Sequence, residues 1–191
     1  APEEPGVRRL PDLLLLNDVP YRGAQVLESA IEKKIVNVDD KLYEKLANCW
    51  IAAHEYDKSI APLQRAAELS SSGDTFVRLG EVQVQREEAL AATADRWLVC
   101  DTTPLTTLLY CQDMFGQAEA ALHELAERPY ALLFLCAPDF PLVQDGPRRD
   151  DAFRQAQHDA YVNWLSTQQR PFTLLTGSLQ QRVEQVLDAL G

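Results

Sequence analysis

The chain has 191 residues, enough for one large domain or two small ones. Hydrophobic residues make up 46% and charged residues 25%, a globular balance that excludes disordered and fibrous classes. A net charge of −11 argues against nucleic acid or an anionic membrane as partner, and no apolar run approaches the ~18 residues of a membrane span.

The positive charges are split unevenly. Residues 1–81 carry 5 Lys and 5 Arg against 14 acids, whereas residues 82–191 carry 8 Arg, no Lys and 15 acids. The last lysine is Lys58. This seam divides the chain into an expected N-terminal part, 1–84, and C-terminal part, 85–191. The acidic, Pro-rich start Ala1-Pro2-Glu3-Glu4-Pro5 does not read as a signal peptide. Cys49, Cys100, Cys111 and Cys136 show no C-x-x-C spacing, so a zinc ribbon is not expected and free thiols of a cytoplasmic protein are. His54, His123 and His158 lie far apart and are expected at the surface, and no metal site is predicted.

In chain order, Leu10–Asp18 predicts a first helix shortened by Pro11, although Asp12–Asp18 also reads as a spare apolar strand. Gly23, Ala24, Leu27, Ala30 and Ile31 give one helical stripe. Asn37-Val38-Asp39-Asp40 is a turn in which Asp39 or Asp40 caps the next helix. Leu42, Leu46, Ala47, Trp50 and Ala53 form its stripe. A further helix opens at Tyr56 with Ile60, Leu63, Ala66, Ala67 and Leu69, and a fourth starts at Phe76, Leu79, Gly80 and Val82.

Leu27 and Leu63, and Ala30 and Ala66, are both 36 residues apart, and Leu46-Ala47 precedes Leu79-Gly80 by 33. A mid-thirties period of helix pairs resembles the tetratricopeptide repeat. Gln83 departs from that pattern, because an aromatic is usual there. The resemblance implies a curved array binding a peptide on its inner face through Lys41, Glu44, Asn48, Asp74 and Glu81. These five read equally as solvated helix positions.

After an Ala-rich helix at Arg86–Arg96, three short apolar runs predict parallel strands: Trp97–Thr102, Tyr130–Cys136 and Phe172–Gly177. Helices are predicted over 106–127, 149–169 and 178–190. The expected fold class is therefore mixed: an all-α helical-repeat segment followed by an α/β segment with a three-stranded parallel sheet. Ligands of such sheets gather at the carboxyl ends of the strands.

Cys100-Asp101-Thr102-Thr103-Pro104, the loop Pro138-Asp139-Phe140-Pro141 through Asp145-Gly146-Pro147-Arg148, and Gly177 with Arg182 resemble, in order, three motifs of NadR-like nicotinamide riboside kinases and their P-loop ATPase relatives. The resemblance implies a catalytic Asp101, with nucleotide or substrate contacts from Thr102, Asp145, Arg148, Arg149 and Arg182. Asp101 reads alternatively as a helix cap, Asp145 and Arg148 as a loop ion pair, and Arg182 as a solvated helix position. The family transfers phosphate from Mg-ATP and needs G-x-x-x-x-G-K-[ST]. None of the eight glycines here precedes a lysine.

The expected function is a non-catalytic scaffold, a chimera of recombined or engineered origin joining helical repeats to a kinase-derived α/β segment. It would have a protein or peptide partner and no cofactor as an isolated chain. The alternative is a nucleoside kinase-like or nucleotide-binding protein with residual ligand sites, for which Mg-ATP would be the cofactor.

Overall fold

The computed structural model describes residues 4–142 and 150–191. The chain divides into two compact units, Ala1–Arg128 and Pro129–Gly191.

The regular structure described in unit 1 is helical: α1 (Glu4–Leu16), α2 (Pro20–Glu32), α3 (Asp40–Ala52), α4 (Tyr56–Leu69), α5 (Asp74–Ala91), α6 (Pro104–Phe115) and α7 (Ala120–Ala126). Each packs on the next from α1 to α7, and α7 also returns to α5. The sequence dictates where they stop. Asp39 caps α3, its side chain accepting from the Leu42 N–H at 2.7 Å. The helices α1, α2 and α3 end alike, through one residue of positive φ: Asp18, Lys34 and His54. The next N–H then bonds five residues back, Val19 to Leu14 at 2.8 Å, Ile35 to Ala30 at 2.9 Å and Glu55 to Trp50 at 2.9 Å. This is the terminator usually built on glycine, here carried by polar side chains.

The apolar stripes close two cores. Val7, Ala24, Leu27, Val36, Leu42, Leu46, Cys49 and Trp50 form the first, and Ala47, Leu63, Leu79 and Val82 the second. Trp50 is 2% exposed and meets Tyr21 edge-on at 5.1 Å, with Lys58 Nζ 4.8 Å from its ring. Two glycines let helices approach closely. A Cβ on Gly23 would stand 3.2 Å from Cys49 Sγ, and one on Gly80 would stand 3.0 Å from a Leu122 methyl. The N-terminal helix is longer than predicted and contains Pro11, whose backbone lies against Gly23. Residues 12–16 are helical, so the spare-strand reading fails. The predicted helix 106–127 is two, divided where Gly116 adopts φ +73° and its N–H closes on the Gln112 carbonyl.

Unit 2 runs β1 (Phe134–Cys136), α8 (Asp151–Thr167), β2 (Thr173–Leu175), α9 (Leu179–Leu190). The strands are parallel, with Phe134 opposite Thr173, Leu135 opposite Leu174 and Cys136 opposite Leu175. Flanking bonds extend the pair: Thr173 N–H to the Leu133 carbonyl and Ala137 N–H to the Leu175 carbonyl, both 2.8 Å. A parallel pair needs a long crossover, and α8 lies within it. The buried apolar residues described in this unit are Ala137, Leu165 and Leu175.

The described residues thus hold a two-stranded sheet instead of the predicted three. Trp97–Cys100 carries no regular structure, and Trp97 is 43% and Val99 81% exposed. An apolar run becomes a strand only where a neighbour accepts its backbone bonds, and among the described residues this segment pairs with no strand. The architecture is mostly helical, with a small parallel sheet near the C-terminal end. The seam at residues 84 and 85 falls inside α5.

Candidate functional site at the strand ends

Polar groups gather at the carboxyl ends of β1 and β2. Beyond β1 the chain runs Ala137-Pro138-Asp139-Phe140, and beyond β2 it runs Thr176-Gly177-Ser178 into α9. Gly177 has φ +83°, where a side chain would be strained, and a Cβ there would displace the Gln181 amide. Ser178 caps α9 in a reciprocal box with Gln181. Gln185 brackets Thr176, accepting from its N–H at 3.1 Å and donating to its carbonyl at 3.0 Å.

One turn into α9, Arg182 folds back beneath this loop and is only 8% exposed. Its Nε donates to the Gly177 carbonyl and its Nη2 to the Ala137 carbonyl, both at 2.9 Å. Nη2 also pairs with Asp139 Oδ1. Asp139 Oδ2 accepts from the Gly177 N–H at 2.7 Å. Arg182 thereby ties the end of β1 to the end of β2. The Gly177 N–H first, and then the Arg182 charge, hold the Asp139 carboxyl below the usual carboxylate range.

A second arginine arrives from α8. Arg154 Nη2 donates to the Phe140 carbonyl at 2.8 Å and the Pro138 carbonyl at 3.2 Å, and it pairs with Asp151 at 2.6 Å. The guanidinium carbons of Arg154 and Arg182 lie 5.0 and 5.1 Å from the Phe140 ring centre. Neither guanidinium is saturated. Among the described residues, Arg182 Nη1 and Arg154 Nε and Nη1 are buried without a hydrogen-bond partner, as is His158 Nδ1, one turn along α8. Buried donors of this kind ordinarily have partners.

The residues singled out from sequence are distributed as follows. Arg182 is buried and bonded, not a solvated helix position. Asp101 and Thr102 lie in unit 1, Asp101 exposed and Thr102 partly buried. The N-cap of α6 is Thr103, so Asp101 does not cap it. Asp145, Arg148 and Arg149 lie outside the described residues. On α3 and α5, Lys41 pairs with Glu44 at 3.0 Å, which raises the lysine's pKa, and Glu44 also accepts from Thr75 Oγ1 at 3.0 Å. Asp74 and Asn48 are exposed, and Glu81 pairs with Arg78 at 3.2 Å. Sequence reading passed over Arg154 and the roles of Asp139 and Phe140. The available signal was Pro138-Asp139-Phe140 directly after an apolar run.

No group of three or more His, Cys, Asp or Glu among the described residues could hold a metal ion. No helix of the described residues is long and apolar enough to cross a membrane. The sequence matches the family model described as AAA domain over residues 41–182, more than half of the chain. The chain belongs to the AAA domain family. This relates it to the P-loop ATPases. No curated protein and no solved structure matches it. The AAA match takes in α3, α4 and α5, the helices the repeat resemblance claimed, and runs through the seam at 84 and 85. One family thus spans both sides of that seam, and the readings of a repeat array and of a chimera gain no support.

Proposed function

We propose that this AAA domain protein is a kinase-type nucleotide-binding protein, its ligand phosphate lying at the carboxyl ends of β1 and β2 against Arg154 and Arg182. The observation that carries the reading is the set of buried, unpartnered guanidinium nitrogens there. Arginine forks match phosphate oxygens, and in a site of low dielectric such bonds are roughly twice as strong as neutral ones. Parallel sheets bind ligands at this end. Phe140 holds both guanidinium groups by stacking, so little side-chain freedom is lost on binding.

Binding, rather than phosphoryl transfer, is the activity proposed for these 191 residues. Transfer needs a glycine-rich loop ending in lysine, and no glycine of the sequence precedes one. Asp139 itself is already committed, both of its oxygens being engaged by Gly177 and Arg182. The finer reading, a nicotinamide riboside kinase-like ligand, rests on the motif resemblance.

Calorimetric titration of the full chain with ATP tests the proposal. Saturable binding below about 1 mM is expected, weakened about tenfold by Arg154→Gln, with nicotinamide riboside as the test of the finer reading. Absence of heat with ATP at about 5 mM refutes the proposal.

A further inference from the structure

A groove of about 370 Å³ runs between α1 and α2, in unit 1 and independent of the strand-end cluster. Val7, Val26, Ala30 and Ile35 give it an apolar floor, and Arg22 and Lys33 line it with charge. The sequence builds this face. Arg22, Val26 and Ser29 on α2 and Lys33 at its C-cap recur at i, i+4, i+7 and i+11, which aligns them on one side of the helix. Eleven residues of rise separate the two cations by about 16 Å, or three helical turns.

The charge state of this face is unlike the rest of unit 1. Arg8, Lys41, Lys45, Lys58, Arg65, Arg78, Arg86 and Arg128 each pair with a carboxylate. Among the described residues Arg22 and Lys33 pair with none, and neither do Arg9 on α1 and Lys34 just past α2. In a chain with 29 acids to 18 bases, cations that find no carboxylate are conspicuous, and two of them border one apolar groove.

We propose that this groove docks an acidic amphipathic helix of a partner protein. About three turns of that helix lie alongside α2, its apolar side chains on Val26 and Ile35 and its carboxylates against Arg22 and Lys33. Helix-in-groove recognition reads anchors at this spacing. The chain's net charge of −11 disfavours nucleic acid and anionic lipid, whose binding needs broad positive surface. The surface is distinct from the face bearing Lys41 and Glu44.

The test is fluorescence anisotropy of the full chain with a labelled helical peptide of about 15 residues, Glu placed to face Arg22 and Lys33 and Leu between them. The control peptide carries Lys in place of each Glu. The acidic peptide should bind at least about tenfold more tightly than the basic one. The double variant Arg22→Glu, Lys33→Glu should reverse that order. Both positions are exposed, and circular dichroism confirms that the variant folds. Equal affinity for the two peptides, or an acidic peptide indifferent to the charge reversal, would overturn the proposal. So would binding of dodecanoate, dependent on Arg22 and Lys33, with no binding of the peptide.

Discussion

Replacing Arg182 by alanine should unfold unit 2 and leave unit 1 intact. The side chain is buried and donates to the Gly177 and Ala137 carbonyls, the atoms that join the two strand ends. Charge-assisted bonds of this kind contribute about 1.5 kcal/mol or more each, and the Ala137 acceptor would be left buried. The loss is therefore about 3 kcal/mol, before any contribution from Asp139. Against this, unit 2 holds three buried apolar residues among those described, Ala137, Leu165 and Leu175. A core so small supplies at most about 3–5 kcal/mol. Hydrogen exchange read by mass spectrometry should show the amides of β1, β2 and α9 losing protection in Arg182→Ala, while those of α3 and α4 keep theirs. Wild-type protection across β1 and β2 in the variant would refute the view that Arg182 ties the strand ends together.

Two further outcomes follow from named groups. Cys136 is exposed, whereas Cys49 and Cys111 are fully buried, and burial pushes the Cys49 thiol up to about 11. A thiol reagent at pH 8 should react rapidly with Cys136 and with Cys49 only on unfolding, and Cys136→Ser should abolish the fast phase; persistence of that phase would contradict the burial pattern. The depressed Asp139 pKa gives a pH dependence of definite sign. Its stabilising effect is complete above the unfolded carboxyl value of about 3.9 and is lost as pH falls through the lower folded value. Unit 2 should therefore loosen in acid below about pH 4, and Asp139→Asn should flatten that transition; an unchanged acid transition in the variant would argue against the Asp139 link.

Much of unit 1 was legible because its signals are local. The 3.6-residue stripes of α2, α3 and α4 are strong, and Asp39 marks a helix start by its own side chain. The helix end at Lys34 is harder to read, because it is not the glycine that ordinarily announces a left-handed turn. Strand readings failed where they depended on a neighbour. Trp97–Cys100 is as apolar as Phe134–Cys136, but the latter pairs with Thr173–Leu175 while the former pairs with no strand among the described residues. Sequence cannot state which runs meet. The candidate site shows the same limit. Gly177 and Arg182 were found as a motif, yet Arg182 reads on a helix as an ordinary exposed arginine until the fold closes Ala137 over it. Arg154 carried no signal, because its meaning lies in a contact with Phe140 fourteen residues upstream. At the lysine seam, α5 continues from one side to the other and one family match covers both sides.

The central claim is that buried, unpartnered arginine nitrogens at the strand ends receive a nucleotide's phosphate. Its most direct test is the ATP titration by calorimetry of wild type and Arg154→Gln side by side. The account predicts saturable one-site binding by the wild type and affinity lowered about tenfold in the variant. Wild-type protein that releases no heat, or a variant that binds ATP as tightly as wild type, would contradict it.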